Sequence, residues 1–270
     1  MQPENGVFFF HDAAMQLFDT SSVSKMGILT PEKIDHEMHY RKSPSMLHIR
    51  GLSQDGLEHF VQKYGSTYRI LYLNDCSYIN DFSPLGKLYN LEALRIERCR
   101  GIDHLWDMSH NPSLKIISIH NARQIIHNPA LLSTSQSLEE VRLWGGDHYS
   151  LSSLECFRGM KSLKRIDLNM LSLENRSMDV LSTLPNLEEF HFDAGMLTTE
   201  EIAQICARYP NLYGQSLCAY SKYEPGIYDV RVCGYRKPGL NLPKDQKRLD
   251  KYVAAFNELV RKYRDSEDDK

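Results

Sequence analysis

The sequence predicts an α/β solenoid: a curved parallel sheet on a concave face, helices and 3-10 turns on a convex face, and a cap at each end. Three observations carry this. An apolar nine-residue pattern recurs along the chain. A small polar residue stands immediately before each copy. Amphipathic helical segments flank the array on both sides.

The pattern is plainest at Leu91, Leu94, Ile96 and Cys99. It recurs at Tyr68, Leu71, Leu73, Cys76; at Leu114, Ile117, Ile119, Ala122; and at Leu138, Val141, Leu143, Gly146. Two more copies follow at Leu163, Ile166, Leu168, Leu171 and at Leu187, Phe190, Phe192, Gly195. Their first residues are spaced 23, 23, 24, 25 and 24 apart, and a fixed period of this length signals stacked units that share one core. Weaker copies are read at Pro44, Leu47, Ile49, Leu52; at Leu212, Leu217, Tyr220, where Gln215 breaks an apolar position; and at Ile227, Val230, Val232, Tyr235. Up to nine strand-like units are therefore expected.

Thr67, Asn90, Ser113, Ser137, Ser162, Asn186 and Asn211 precede the first position of seven copies. Their short polar side chains suit turns, because they can bond nearby backbone. Between copies, Ile79, Phe82, Leu85 and Leu88, like Leu151, Leu154, Phe157 and Met160, are apolar at spacing three and are assigned to the convex side.

Several segments read as helices. Ser53 is placed as an N-cap for a helix burying Leu57, Phe60, Val61 and Tyr64, with Gly65 just past its end. Thr198 and Glu201 form a capping box ahead of Ile202, Ile205, Cys206 and Tyr209. After Pro243 a long stripe runs through Leu249, Tyr252, Val253, Phe256, Leu259, Val260 and Tyr263. Its leading reading is a cap over the last strand, since a solenoid end must be sealed; a partner-binding helix is the alternative. Residues 1–43 are assigned to an N-terminal cap, with Val7–Phe10 a candidate strand and Thr30-Pro31 opening a short helix. The array then covers 44–220 and a C-terminal cap 221–270.

The repeat resembles that of leucine-rich-repeat proteins over roughly residues 44–220. The segment from Ile79 through Phe82, Pro84, Leu85, Leu88 and Asn90 to Leu91 is most similar to bacterial internalin-type repeats. The resemblance implies a protein-binding module that engages its ligand on the concave face. Position nine departs from the family pattern, which carries an asparagine or cysteine ladder: Cys76 and Cys99 comply, whereas Ala122, Gly146, Leu171 and Gly195 do not. Loops in the C-terminal half therefore need another way to satisfy their backbone.

Strand alternation turns positions four and six inward and three, five and seven outward. Position five carries His48, Tyr72, Arg95, Ser118, Arg142, Asp167, His191 and Ser216. Position seven carries Arg50, Asn74, Glu97, His120, Trp144, Asn169 and Asp193. Eight strands at ~4.8 Å make a surface roughly 35 Å long, enough for a protein or peptide. Arg50, Tyr72, Arg95, His120, Arg142 and Trp144 form a basic, aromatic stretch, and Asp167 and Asp193 make the later part more acidic; these residues other than Asp193, with His191, are the expected partner-binding set. Arg, Tyr and Trp are enriched in binding hot spots, and a solvent-facing Trp144 is the strongest pointer. The competing reading is a solvated face whose charges pair across strands, or a Trp144-Gly145-Gly146 loop pocket.

Other chemistries are poorly represented. A net charge of -3 argues against general nucleic-acid affinity. No stretch is long and apolar enough to span a bilayer, and Val7–Phe10 is too short for a signal segment, so a cytoplasmic monomer with no membrane partner is expected. The cysteines form no CxxC pair; for Cys76 and Cys99 a reduced buried pair is preferred to a disulfide. Asp35-His36-Glu37-Met38-His39 lacks metalloprotease spacing and a third ligand, and reads as a polar cap segment. No catalytic residue, metal or cofactor is assigned. The expected function is protein binding, in a bacterial setting as an inhibitor or immunity protein. An adaptor docking through the C-terminal helix and a metal-dependent hydrolase using the N-terminal histidines are the alternatives.

Overall fold

The computed structural model describes residues 28–39, 46–222 and 227–268, with side chains to residue 266. The expected strand at Val7–Phe10 and the repeat position at Pro44 lie outside them. In chain order the elements begin with helix α1 (Pro31–His39), strand β1 (Met46–Arg50), helix α2 (Gln54–Tyr64), β2 (Ile70–Asn74), β3 (Ala93–Glu97) and β4 (Ile116–His120). The short helix α3 (Arg123–His127) leads to β5 (Glu140–Trp144), β6 (Ser150–Leu151), β7 (Arg165–Asn169), β8 (Ser172–Leu173) and β9 (Glu189–Phe192). Helix α4 (Thr199–Arg208), strands β10 (Tyr220–Lys222), β11 (Val230–Val232) and β12 (Gly239–Leu240), and helix α5 (Gln246–Asp268) complete the chain.

Seven strands form one parallel sheet in the order β1-β2-β3-β4-β5-β7-β9. The architecture is that of a leucine-rich-repeat solenoid. Pattern positions four and six are fully buried in every strand of this sheet, from Leu47 and Ile49 to Phe190 and Phe192. The convex connections are mostly 3-10 turns, among them Ser83–Lys87 and Leu154–Phe157. Three residues per turn place every third side chain on one line, which is why Phe82, Leu85 and Leu88 reach the core together; Ile79, ahead of the turn, is buried with them.

The backbone joins copy to copy at both strand ends. Ahead of the strands, the N–H groups of Lys115 and Ile116 donate to Glu92 O, and those of Glu139 and Glu140 to Lys115 O. Past the strands, the N–H groups of Gly51, Asp75, Arg98, Asn121 and Gly145 donate to the last residue of the next strand. Gly51, Asp75, Arg98, Asn121 and Met170 sit in the left-handed region to make this bend, with Met170 at φ 53°. The polar residues ahead of the copies bond the previous copy rather than their own turn: Ser162 Oγ donates to Gln136 O at 2.7 Å and Asn186 Nδ2 to Lys161 O at 2.7 Å.

The array changes character midway. Cys76 Sγ lies 3.3 Å from Asn74 O and accepts from the Leu52 N–H at 3.4 Å. Cys99 Sγ lies 3.6 Å from Glu97 O. Where the thiols stop, β6 and β8 pair in a second parallel ribbon, and the N–H groups of Ser172 and Glu174 donate to Tyr149 O and Leu151 O.

Helices pack beside both ends of the main sheet. Ser53 caps α2 by accepting from the Gly56 N–H, and Thr198 and Glu201 form the capping box of α4. Gly65 is not a left-handed terminator: its φ is -58°, and a Cβ there would meet Leu88 Cδ2 at 2.4 Å, so a larger residue would have to displace that side chain. Asp35 joins α1 to α2, accepting from His59 and Tyr64 at 2.7 Å and from Lys63 at 2.7 Å. These donors hold its carboxyl below the ordinary range.

Two weak copies are corrected. Glu189 bridges to Tyr213, which shifts the eighth unit by one residue. Gly214 then takes position four and Ser216 position six, where it is buried and donates to Phe192 O at 2.6 Å. Ser216 therefore does not face solvent, and exposed Gln215 does. The segment around Val230 and Val232 is no repeat but the middle strand of an antiparallel sheet, β10-β11-β12. Helix α5 buries Leu249 against that sheet, and its later turns pack Phe256, Leu259, Val260 and Tyr263 on the main core.

Candidate functional site

The strand register brings His48, Tyr72, Arg95, Ser118, Arg142, Asp167 and His191 into one row across the sheet. Arg50, Asn74, Glu97, His120, Trp144 and Asn169 form the parallel row at position seven. All eight expected binding residues thus lie on this face, and most are already engaged by neighbouring side chains.

Glu97 is the hub of the first half, only 8% exposed. It accepts from the Tyr72 hydroxyl, from Arg95 Nη2 at 2.6 Å and from Arg98 Nη1 at 2.5 Å. Burial pushes the Glu97 carboxyl up, but Tyr72, Arg95 and Arg98 outweigh it and hold the group below its ordinary range. Tyr72 is clamped on both faces: the His48 ring stacks at 4.1 Å and the Arg95 guanidinium lies 4.8 Å from its centroid. Burial pushes the His48 imidazole down, which favours its neutral form beside three guanidinium groups. Asp75 collects Arg98 at 2.8 Å and Arg50 at 3.0 Å. Arg95 Nη2 continues to His120 Nδ1 at 3.3 Å, and Ser118 Oγ meets His120 Nε2 at 2.7 Å.

The second half is organised around Asp167. Arg142 pairs with Glu140 on its own strand, and Arg165 donates to Glu189 at 2.6 Å. His191 contacts the same Glu189 oxygen at 2.7 Å. Asp167 accepts from Asn169 Nδ2 at 2.7 Å, yet burial raises its carboxyl above the ordinary range against the pull of His191, Arg142 and Arg165. Arg142 Nη2 and Arg165 Nε are buried with no hydrogen-bond partner among the described residues.

Trp144 stands between these networks. It is 45% exposed, and the His120 ring lies 5.3 Å from it. Met170, one position past β7, is exposed as well. Position three, whose residues the sequence reading did not single out, runs Met46, Ile70, Ala93 and Ile116 in the first half and Glu140, Arg165 and Glu189 in the second. Tyr213 was also missed, because the register shift carries it onto this face, edge-on to His191 at 5.6 Å.

Among the described residues no group of three His, Cys, Asp or Glu side chains could hold a metal ion, and no helix is long and apolar enough to cross a membrane. No family model matches the chain, and no curated protein matches it. Among solved structures it is similar to an internalin (inlF) of Listeria monocytogenes, with 18% identity and a TM-score of 0.40 over 55% of this chain. The chain spans 41% of that structure's length.

Proposed function

For a chain built as a leucine-rich-repeat solenoid, we propose a protein-binding function, with the partner seated on the concave sheet around Trp144. The observation that supports this most is a half-exposed tryptophan on a strand position facing solvent, beside the His120 ring, with a second exposed apolar side chain, Met170, one position past the neighbouring strand. An exposed aromatic of this size offers a large contact area at little conformational cost. The clamped Tyr72 and the paired arginines add a surface already ordered before contact, which lowers the entropy lost on association. Inhibition of an enzyme or toxin by occupying it is the specific form we favour in a bacterial setting. The adaptor reading is disfavoured because the apolar stripe of α5 packs on the chain's own core. The hydrolase reading is disfavoured because Asp35 is already held by His59, Lys63 and Tyr64.

The test is capture of binding proteins from a cell extract by the tagged chain, compared with Trp144→Ala and Tyr89→Ala. Tyr89 is exposed in the turn ahead of β3, away from the concave face. A protein retained by wild type and Tyr89→Ala but lost by Trp144→Ala supports the reading. Equal recovery by all three removes the concave face as the site.

A further inference from the structure

The last repeat meets the C-terminal sheet at two cysteines. Cys218 follows the shifted eighth unit, and Cys233 directly follows β11. Their sulfur atoms lie 4.0 Å apart. Cys233 is fully buried, whereas Cys218 is partly open to solvent. The backbone around both is fixed: the Cys233 N–H donates to Ala219 O at 3.0 Å, Gly234 N–H to Ala194 O at 2.7 Å, and Thr199 Oγ1 to Cys233 O at 3.1 Å. Cys218 Sγ sits 3.3 Å from Gln215 O and 3.0 Å from Tyr220 O, acceptors for its thiol in the reduced state.

We propose that Cys218 and Cys233 are a redox modification site, forming a reversible disulfide by exchange with a low-molecular-weight disulfide and so locking the C-terminal sheet onto the last repeat. Each sulfur needs to move only about 1 Å to reach the ~2.05 Å bond length. Cys218 reacts first, since it is the accessible sulfur. Its thiolate attacks one sulfur of the small disulfide and displaces the other as a thiolate, leaving a mixed disulfide. Cys233 then gives up its proton, attacks the Cys218 sulfur and expels the second small thiolate. The two protein thiols lose two protons and two electrons, and the small disulfide leaves as two thiols. The division of roles agrees with the thiol environments. The Cys233 contact holds Cys218 below the ordinary range, while that contact and burial push Cys233 up. Burial instead pushes Cys206 up to about 11 and Cys156 up to about 12.

The full chain is equilibrated in buffers of reduced and oxidised glutathione, quenched by alkylation, and read by intact mass and peptide mapping. Wild type is expected to lose two hydrogens, to yield a Cys218–Cys233 cross-linked peptide, and to melt roughly 5 °C above its reduced form. Cys233→Ser is expected to trap a glutathione adduct on Cys218, and Cys206→Ser to behave as wild type. Cys218→Ser, a change at a partly open position, is expected to leave Cys233 unmodified. A wild-type link through Cys206, a persistent glutathione adduct on wild type, or full alkylation of both thiols in the most oxidising buffer would overturn the proposal. So would an adduct on Cys233 in Cys218→Ser.

Discussion

The strands β1 to β4 and the strands β5, β7 and β9 share one backbone plan and solve it with different chemistry. In the first group, buried thiols bind the loops, position three is apolar, and a carboxylate at the centre is fully satisfied by Tyr72, Arg95 and Arg98. In the second, a small parallel ribbon binds the loops, position three is charged, and two guanidinium N–H groups around a largely buried Asp167 find no hydrogen-bond partner among the described residues. The charge balance reverses too. Arg50, Arg95 and Arg98 face Asp75 and Glu97, whereas Arg142 and Arg165 face Glu140, Asp167 and Glu189. The repeat dictates which side chains turn inward and leaves the outward rows free. One half has used that freedom for a closed network; the other leaves two guanidinium N–H groups without hydrogen-bond partners among the described residues.

The largest expected effect lies in the closed network. Glu97→Ala leaves Tyr72, Arg95 and Arg98 without their common acceptor in a nearly buried setting. Breaking a buried ion pair from one side costs about 3–5 kcal/mol, and urea unfolding should show a loss of that size. A loss below about 1 kcal/mol would mean that Asp75 and solvent replace Glu97 readily, and the contrast between the halves would disappear.

A paired substitution sharpens it further. Arg98 and Met170 occupy the same left-handed position after their strands, at φ 54° and 53°. Glycine relieves about 1–2 kcal/mol of strain there and returns roughly half as added freedom of the unfolded chain. Met170 is exposed, so Met170→Gly should be neutral or stabilising by about 0.5 kcal/mol. Arg98 bonds Asp75, Asn74 and Glu97, so Arg98→Gly should destabilise by about 2 kcal/mol despite the same backbone relief. Equal signs in chemical denaturation would show that the side-chain network adds little.

The inward pattern was legible because burial repeats with period two along each strand and returns every 23 to 25 residues. For the same reason Trp144 could be placed on the solvent side. The register shift at Tyr213 was not legible, though Gln215 at an apolar position was its signal. Gly214 can occupy position four only because it has no side chain, since a Cβ would lie 2.1 Å from Phe190 O. The polar residues ahead of each copy were found, but their partners were placed too locally: Ser162 and Asn186 bond a carbonyl a whole repeat away. The ion networks depend on rotamers across strands, which spacing does not specify. One charged row could have been read. Position two runs Arg69, Glu92, Lys115, Glu139, Lys164, Glu188, alternating in sign, and Glu139 takes Lys115 and Lys164 at 2.7 Å on either side.

A last prediction separates the two central carboxylates by sign. Asp167 has a raised pKa in the folded chain, because burial outweighs its cationic neighbours. As pH rises from about 4, the unfolded chain releases this proton before the folded one does, so ionisation opposes folding and the penalty grows as pH climbs toward the folded value. Asp167→Asn keeps an acceptor for Asn169 and removes the charge, and should melt higher than wild type at neutral pH. Glu97 is the reverse: its lowered pKa contributes stability above about pH 4 that is lost as pH falls toward the folded value. Melting curves of Asp167→Asn and Glu97→Gln across pH should therefore lie on opposite sides of wild type at neutrality and converge on it in acid. If Asp167→Asn instead melts lower at neutral pH, the attraction of Arg142, Arg165 and His191 exceeds the burial cost. The second half would then be a closed network like the first, with its unpartnered N–H groups answered by charge alone.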